Sequence, residues 1–128
     1  MIPLCRARGM GIIPWSPLAR GRLAGRRPEP TSRAQTDEYA NKLYDATSDS
    51  DQKVVDAVGS VAQQCGVAPA QIALSWLLQK PWITAPIVGA SKPQHLKDAV
   101  AALDIQLAPG QIQAIETPYI PHPIAGHE

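Results

Sequence analysis

The sequence predicts an α/β protein with parallel strands, and three observations carry that prediction. Two short apolar runs bounded by turn residues, Gly11-Ile12-Ile13-Pro14 and Ala85-Pro86-Ile87-Val88, suit strands buried on both faces. Stretches of helical period with recognisable start and stop residues follow both runs. The 128 residues are 45% hydrophobic and 18% charged, the composition of a globular domain, and no apolar run approaches the roughly 18 residues of a membrane span.

In chain order, Ile2, Leu4, Cys5 and Ala7 read as the last turns of a helix, with Arg6 and Arg8 near its negative end and Gly9 as a left-handed stop. The first strand occupies residues 11–14. Residues 15–49 hold Pro17, Pro28 and Pro30, show no sustained period and read as one long connection, well beyond the usual ceiling of about 15 residues. Ser48-Asp49-Ser50-Asp51 is a cluster of helix-capping residues. It precedes Val54, Val55, Val58, Val61, Ala62 and Cys65 at helical spacing, closed by Gly66. Pro69 opens a second helix at its first position, and Ile72, Ala73, Trp76 and Leu77 carry it to Lys80-Pro81. Two helices therefore fill residues 50–80. After the second strand, at 85–88, Ser91 is placed to cap a helix with Leu96, Val100 and Leu103 on its inner face, and Pro109 begins a last short helix through Ile112 and Ile115. Helices thus occupy residues 92–116, and a proline-rich tail covers 117–128. A sheet of about two parallel strands would leave both of them as unpaired edges, so the expectation is the end of a larger α/β domain.

The net charge of +1 conceals an asymmetry: residues 1–33 sum to +6 through seven arginines, and residues 34–128 to −5. A basic first third fits an anionic partner, whether nucleic acid, an acidic lipid surface or the phosphates of a cofactor; solvated surface charge is the plain alternative. Cys5 and Cys65 are too sparse for a disulfide scaffold, and the first residues contain no signal-peptide core, so a reducing cytoplasm is expected. His122 and His127 lack partners at ligand spacing, and no metal site is expected.

Ligands of α/β proteins collect at the carboxyl ends of the strands. After the first strand, Trp15 offers an indole face, Ser16 a hydroxyl, the backbone amides around Gly21 a close approach to an anion, and Arg20 and Arg22 guanidinium groups suited to phosphate. After the second, Gly89-Ala90-Ser91-Lys92 leads into a helix N-terminus, where free N–H groups attract anions.

These segments carry a resemblance. Residues 12–23, Ile-Ile-Pro-Trp-Ser-Pro-Leu-Ala-Arg-Gly-Arg-Leu, closely resemble the seventh-strand segment of aldo-keto reductases, and residues 85–92 with Leu96 resemble the eighth. The likeness runs through Ala73-Leu74-Ser75-Trp76-Leu77-Leu78 to the tail and points to the branch of aryl-alcohol dehydrogenases and potassium-channel β subunits. It implies the C-terminal part of an NADP-binding (β/α)8 barrel, incomplete as a barrel, from an enzyme that reduces aldehydes and ketones with hydride from NADPH. By resemblance, Trp15 stacks on the nicotinamide. Ser16, Pro17, Leu18, Ala19, Arg20, Gly21 and Leu23 follow the pyrophosphate as a clasp, and Arg33 helps to cover the cofactor. Gly89, Ala90, Ser91 and Lys92 surround the adenosine 2′-phosphate, while His95 and Asp98 reach the ribose phosphate and adenine. Ala99 stands where an asparagine is usual, and His95 where arginine or glutamine is frequent.

The family's proton-donating Tyr and its Asp, Lys and His partners lie on early strands, and none of those motifs occurs here. Tyr39 with Lys42, and Tyr119 with His122, read as loop and tail residues. No catalytic residue is assigned, and the chain alone is expected to be inactive. The alternative reading is a non-catalytic module that binds NADP or completes another chain's barrel, or an inactive truncated product.

Overall fold

The computed structural model describes residues 1–25 and 47–122. Its helices are α1 (Ile2–Ala7), α2 (Ser48–Cys65), α3 (Pro69–Leu78), α4 (Pro93–Ala101) and α5 (Pro109–Glu116); short 3₁₀ turns span Ala19–Ala24 and Ala102–Asp104.

Glycine closes two of the helices by the same device. Gly9 takes φ +63° after α1, where its amide donates to the Arg6 carbonyl at 3.2 Å and that of Met10 to Cys5 at 2.9 Å. After α2, Gly66 takes φ +66°, with Gly66 N–H on Gln63 (3.2 Å) and Val67 N–H on Ala62 (3.1 Å). Each pair satisfies carbonyls that the last turn leaves unbonded. A second device starts α3 and α5. Both begin at proline, which needs no amide partner there, and a glutamine two residues on reaches back: Gln71 Oε1 accepts from Ala68 N–H at 2.9 Å and Gln111 Oε1 from Ala108 N–H at 2.8 Å.

Packing is helix on helix. Val58, Val61 and Ala62 of α2 meet Ile72 and Ala73 of α3, with Leu107 and Ile115 closing the core from the α5 side. Ile72 is fully buried, and a side chain of its size contributes about 2–3 kcal/mol through that burial. Among the described residues, Ser75 is the one buried polar residue. Its hydroxyl donates to the Ile105 carbonyl at 2.7 Å and accepts from Gln79 Nε2 at 2.9 Å, which ties α3 to the segment between α4 and α5. At the far end of α3, Trp76 Nε1 donates to Glu116 Oε1 at 2.8 Å; Lys80 bonds the same oxygen and lies 4.4 Å from the Trp76 ring centre.

The structure corrects several expectations. The two apolar runs do pair in parallel, but the pairing among the described residues is a single bridge, Trp15 with Ile87, and neither run is buried on both faces. Ile13, Trp15 and Ile87 are more than half exposed, because no described segment covers them. Leu96, Val100 and Leu103 do not form a buried inner face: all three are more than half exposed, although α4 lies against α3. The helix-capping cluster lies inside the first turn of α2, whose N-cap is Thr47; Thr47 Oγ1 donates to Asp51 Oδ2 at 2.7 Å instead of receiving a backbone amide. Helix α3 stops at Leu78, two residues before the expected Lys80.

Candidate functional site

Parallel pairing determines where the site can be. Ile87 N–H donates to the Pro14 carbonyl and Thr84 N–H to the Ile12 carbonyl, both at 2.9 Å, so the two extended segments run the same way and end side by side. Ser16 leaves one carboxyl end and Gly89 the other, which brings the two sequence-predicted groups to one edge of the structure.

The segment after Trp15 is coiled tightly. Ser16 (φ +52°), Ala19 (+47°) and Arg20 (+54°) all occupy the left-handed region, as does Gly21 at +100°. For non-glycine residues that region costs about 1–3 kcal/mol each, and such strain clusters at ligand clamps and active sites. Turn bonds hold the coil: Ala19 N–H to Ser16 O and Gly21 N–H to Leu18 O at 2.9 Å, and Leu23 N–H to Leu18 O at 3.2 Å. The Gly21 amide is therefore engaged within the turn. Leu18 and Leu23 pack against the helical core and act as the anchors of the coil. Gly25 completes it at φ +94°, ψ +161°, with the Pro69 ring 3.2 Å from where a Cβ would stand. Trp15 is 62% exposed, leaving its indole open to a planar ligand.

On the other side, Gly89, Ala90, Ser91 and Lys92 are exposed. Lys92 is the N-cap of α4 and Pro93 opens the helix. Ser91 is not the cap: its hydroxyl faces His95 Nδ1 at 3.4 Å. Asp98 accepts from Gln94 Nε2 at 2.8 Å, one turn further along the same helix. Arg33 lies outside the described residues, as do Tyr39, Lys42 and His127. Tyr119 and His122 contact each other, ring centres 6.2 Å apart. Among the described residues no group of three His, Cys, Asp or Glu side chains is placed to hold a metal ion.

Sequence reasoning missed Thr84. Besides its amide bond to Ile12, its Oγ1 accepts from Ile12 N–H at 3.0 Å. The only signal was a hydroxyl residue immediately before an apolar run.

The profile of the aldo/keto reductase family matches residues 1–119. The chain belongs to this family. Among its relatives, versiconal hemiacetal acetate reductase of Aspergillus parasiticus is 41% identical over 97% of the chain and 36% of its own length. A Schizosaccharomyces pombe protein whose name places it with aryl-alcohol dehydrogenases is also 41% identical, over 98% of the chain and 35% of its own length. The chain thus spans about a third of the length of these family members. A thermostable aldo-keto reductase solved with the inhibitor epalrestat superposes with a TM-score of 0.61 at 21% identity, over 92% of the chain and 33% of that protein; this likeness is one of fold, the (β/α)8 barrel of the family.

Proposed function

We propose that this chain is the NADP(H)-binding, C-terminal portion of an aldo-keto reductase barrel, and that the complete enzyme reduces aldehydes and ketones to alcohols. The observation that carries the reading is the parallel Trp15–Ile87 bridge, which sets an exposed indole and a strained left-handed coil beside the lysine-bearing start of α4. An extended dinucleotide needs a flat face for its nicotinamide, a close-fitting turn along its pyrophosphate and a cation at its 2′-phosphate. Trp15, residues 16–21 with Leu23, and Ser91 with Lys92 supply these in that order. His95 and Asp98 line the adenosine end, with Gly89 and Ala90 leaving the backbone low, and Arg33 joins the cover. The cofactor brings the hydride chemistry. The chain's own part is to bind and orient; the chain alone is inactive, since no residue here is assigned proton donation. A reducing cytoplasm suits the free thiols Cys5 and Cys65, and no described helix is long and apolar enough to cross a membrane.

A second reading, a non-catalytic module that completes another chain's barrel, is favoured by the open apolar surfaces at Ile13 and Ile87 and along α4. Carbonyl reduction by the purified chain alone would exclude it.

The test of the favoured reading compares NADPH and NADH, which differ only at the 2′-phosphate. Lys92→Ala should weaken NADPH at least tenfold, the scale of one lost charge-assisted phosphate contact of about 1.5–3 kcal/mol, and leave NADH nearly unchanged. Equal losses for the two would contradict the assignment of Lys92.

A further inference from the structure

In an ordinary parallel ladder the N–H and C=O of one residue reach two different residues of the neighbouring strand, spaced along it. Ile12 departs from this. Its carbonyl accepts from the Thr84 amide at 2.9 Å and its amide donates to Thr84 Oγ1 at 3.0 Å, so one residue satisfies both backbone groups. A side-chain hydroxyl has taken the place of the strand carbonyl two residues earlier.

The neighbouring residue is shaped around that hydroxyl. A Cβ on Gly11 would lie 2.9 Å from Thr84 Oγ1, closer than such atoms approach, and turning the threonine away would break its bond to Ile12. The bridge downstream is spaced differently on the two segments: the amides of Thr84 and Ile87, three residues apart, bond the carbonyls of Ile12 and Pro14, two residues apart, so the lock fixes the alignment from which one extra residue of the second segment leads to the bridge. With one bridge between the extended segments, little else fixes that register. A slip of one residue would move one segment about 3.3 Å along the other and turn its side chains over.

We propose that Thr84 is a positioning residue, which together with Gly11 locks the register of the two segments and so sets the spacing between Trp15 and the turn at Gly89–Lys92. The inference rests on the reading that a single dinucleotide spans both. A register lock then matters for a ligand that touches both ends and not for one that touches only the second. NADPH is the first kind of ligand. Adenosine 2′,5′-bisphosphate, which has no nicotinamide, is the second.

The experiment measures three things on the full chain: hydrogen exchange at the Ile12 and Ile87 amides, and the affinities for NADPH and for adenosine 2′,5′-bisphosphate. Thr84→Val keeps the shape and removes the acceptor; it should deprotect both amides and weaken NADPH about fivefold, the worth of one ordinary hydrogen bond, with the bisphosphate unchanged. Thr84→Ser keeps the acceptor and should restore all three readings. Gly11→Ala should reproduce Thr84→Val by crowding the hydroxyl, yet add nothing in a Thr84→Ala background, a non-additivity that loss of general stability would not give. Unchanged Ile87 protection in both Thr84→Val and Gly11→Ala would overturn the proposal, and so would equal weakening of the two ligands. Should the unmodified chain bind neither ligand, the dinucleotide reading fails while the exchange data still decide whether the lock exists.

Discussion

Ser75→Ala is the perturbation whose cost can be worked most directly from the structure. Ser75 is 1% exposed, and its hydroxyl is a donor to Ile105 and an acceptor from Gln79. Alanine fits the space without strain, so the change isolates the polar contacts. Losing the hydrogen bond costs about 1 kcal/mol, and leaving the Ile105 carbonyl without its partner adds up to a similar amount, whereas the half-buried Gln79 amide recovers water; the sum is about 1.5–2 kcal/mol. At roughly 4 °C per kcal/mol for a chain of this size, the unfolding midpoint should fall by about 6–8 °C. Ser75→Val should cost more, about 3 kcal/mol, because the larger side chain must enter a packed site in addition. Urea unfolding followed by circular dichroism separates stability from compactness through a constant slope. A Ser75→Ala variant within 0.5 kcal/mol of the unmodified protein would refute the reasoning. The Ser75–Ile105 bond would then not be what holds α3 to the segment that follows α4, the helix that presents Lys92.

Two further predictions concern the same scaffold. The Lys80 hydrogen bond, with that of Trp76, holds the Glu116 carboxyl below its usual 4.5, so its contribution to stability is complete above about pH 4.5 and is lost as pH falls through the lower folded value. Glu116→Gln should therefore lower the midpoint at neutral pH by a small amount, as befits an exposed pair, and the difference from the unmodified protein should vanish in acid; a pH-independent difference in thermal unfolding would argue against the ion pair. Gly25→Ala places a side chain in a backbone region that only glycine occupies readily and 3.2 Å from the Pro69 ring; it should destabilise by about 1–3 kcal/mol in urea unfolding, and a neutral outcome would mean that the coil is not anchored against α3 there.

Local chemistry was legible in the sequence and long-range chemistry was not. Gly9, Gly66, Pro69 and Pro109 mark helix ends because a helix terminus is solved by residues within one turn of it. Ser91 misled for the same kind of reason: the residue type suits a cap, but His95 one turn on competes for the hydroxyl. Burial of residues 11–14 and 85–88 was misread because an apolar run reports what a strand would bury, while actual burial depends on which neighbours lie against it. On the candidate site, the glycines, Ser16 and Lys92 were visible as turn and anion-binding types following apolar runs. The left-handed strain at Ser16, Ala19 and Arg20 was not, since nothing in those residue types announces it. Leu18 and Leu23 read as ligand-facing from the resemblance, and the structure places them against the core as well. Thr84 left no pattern, because its partner Ile12 lies 72 residues away.

The central claim, that this chain carries an NADP(H) site, is tested most directly by thermal unfolding of the purified protein with and without NADPH. A ligand bound only by the folded state at about one hundred times its dissociation constant adds about 2.7 kcal/mol of stability. The account predicts a single cooperative transition raised by several degrees with NADPH and by less with NADH at equal concentration. A midpoint unmoved by either nucleotide would contradict it.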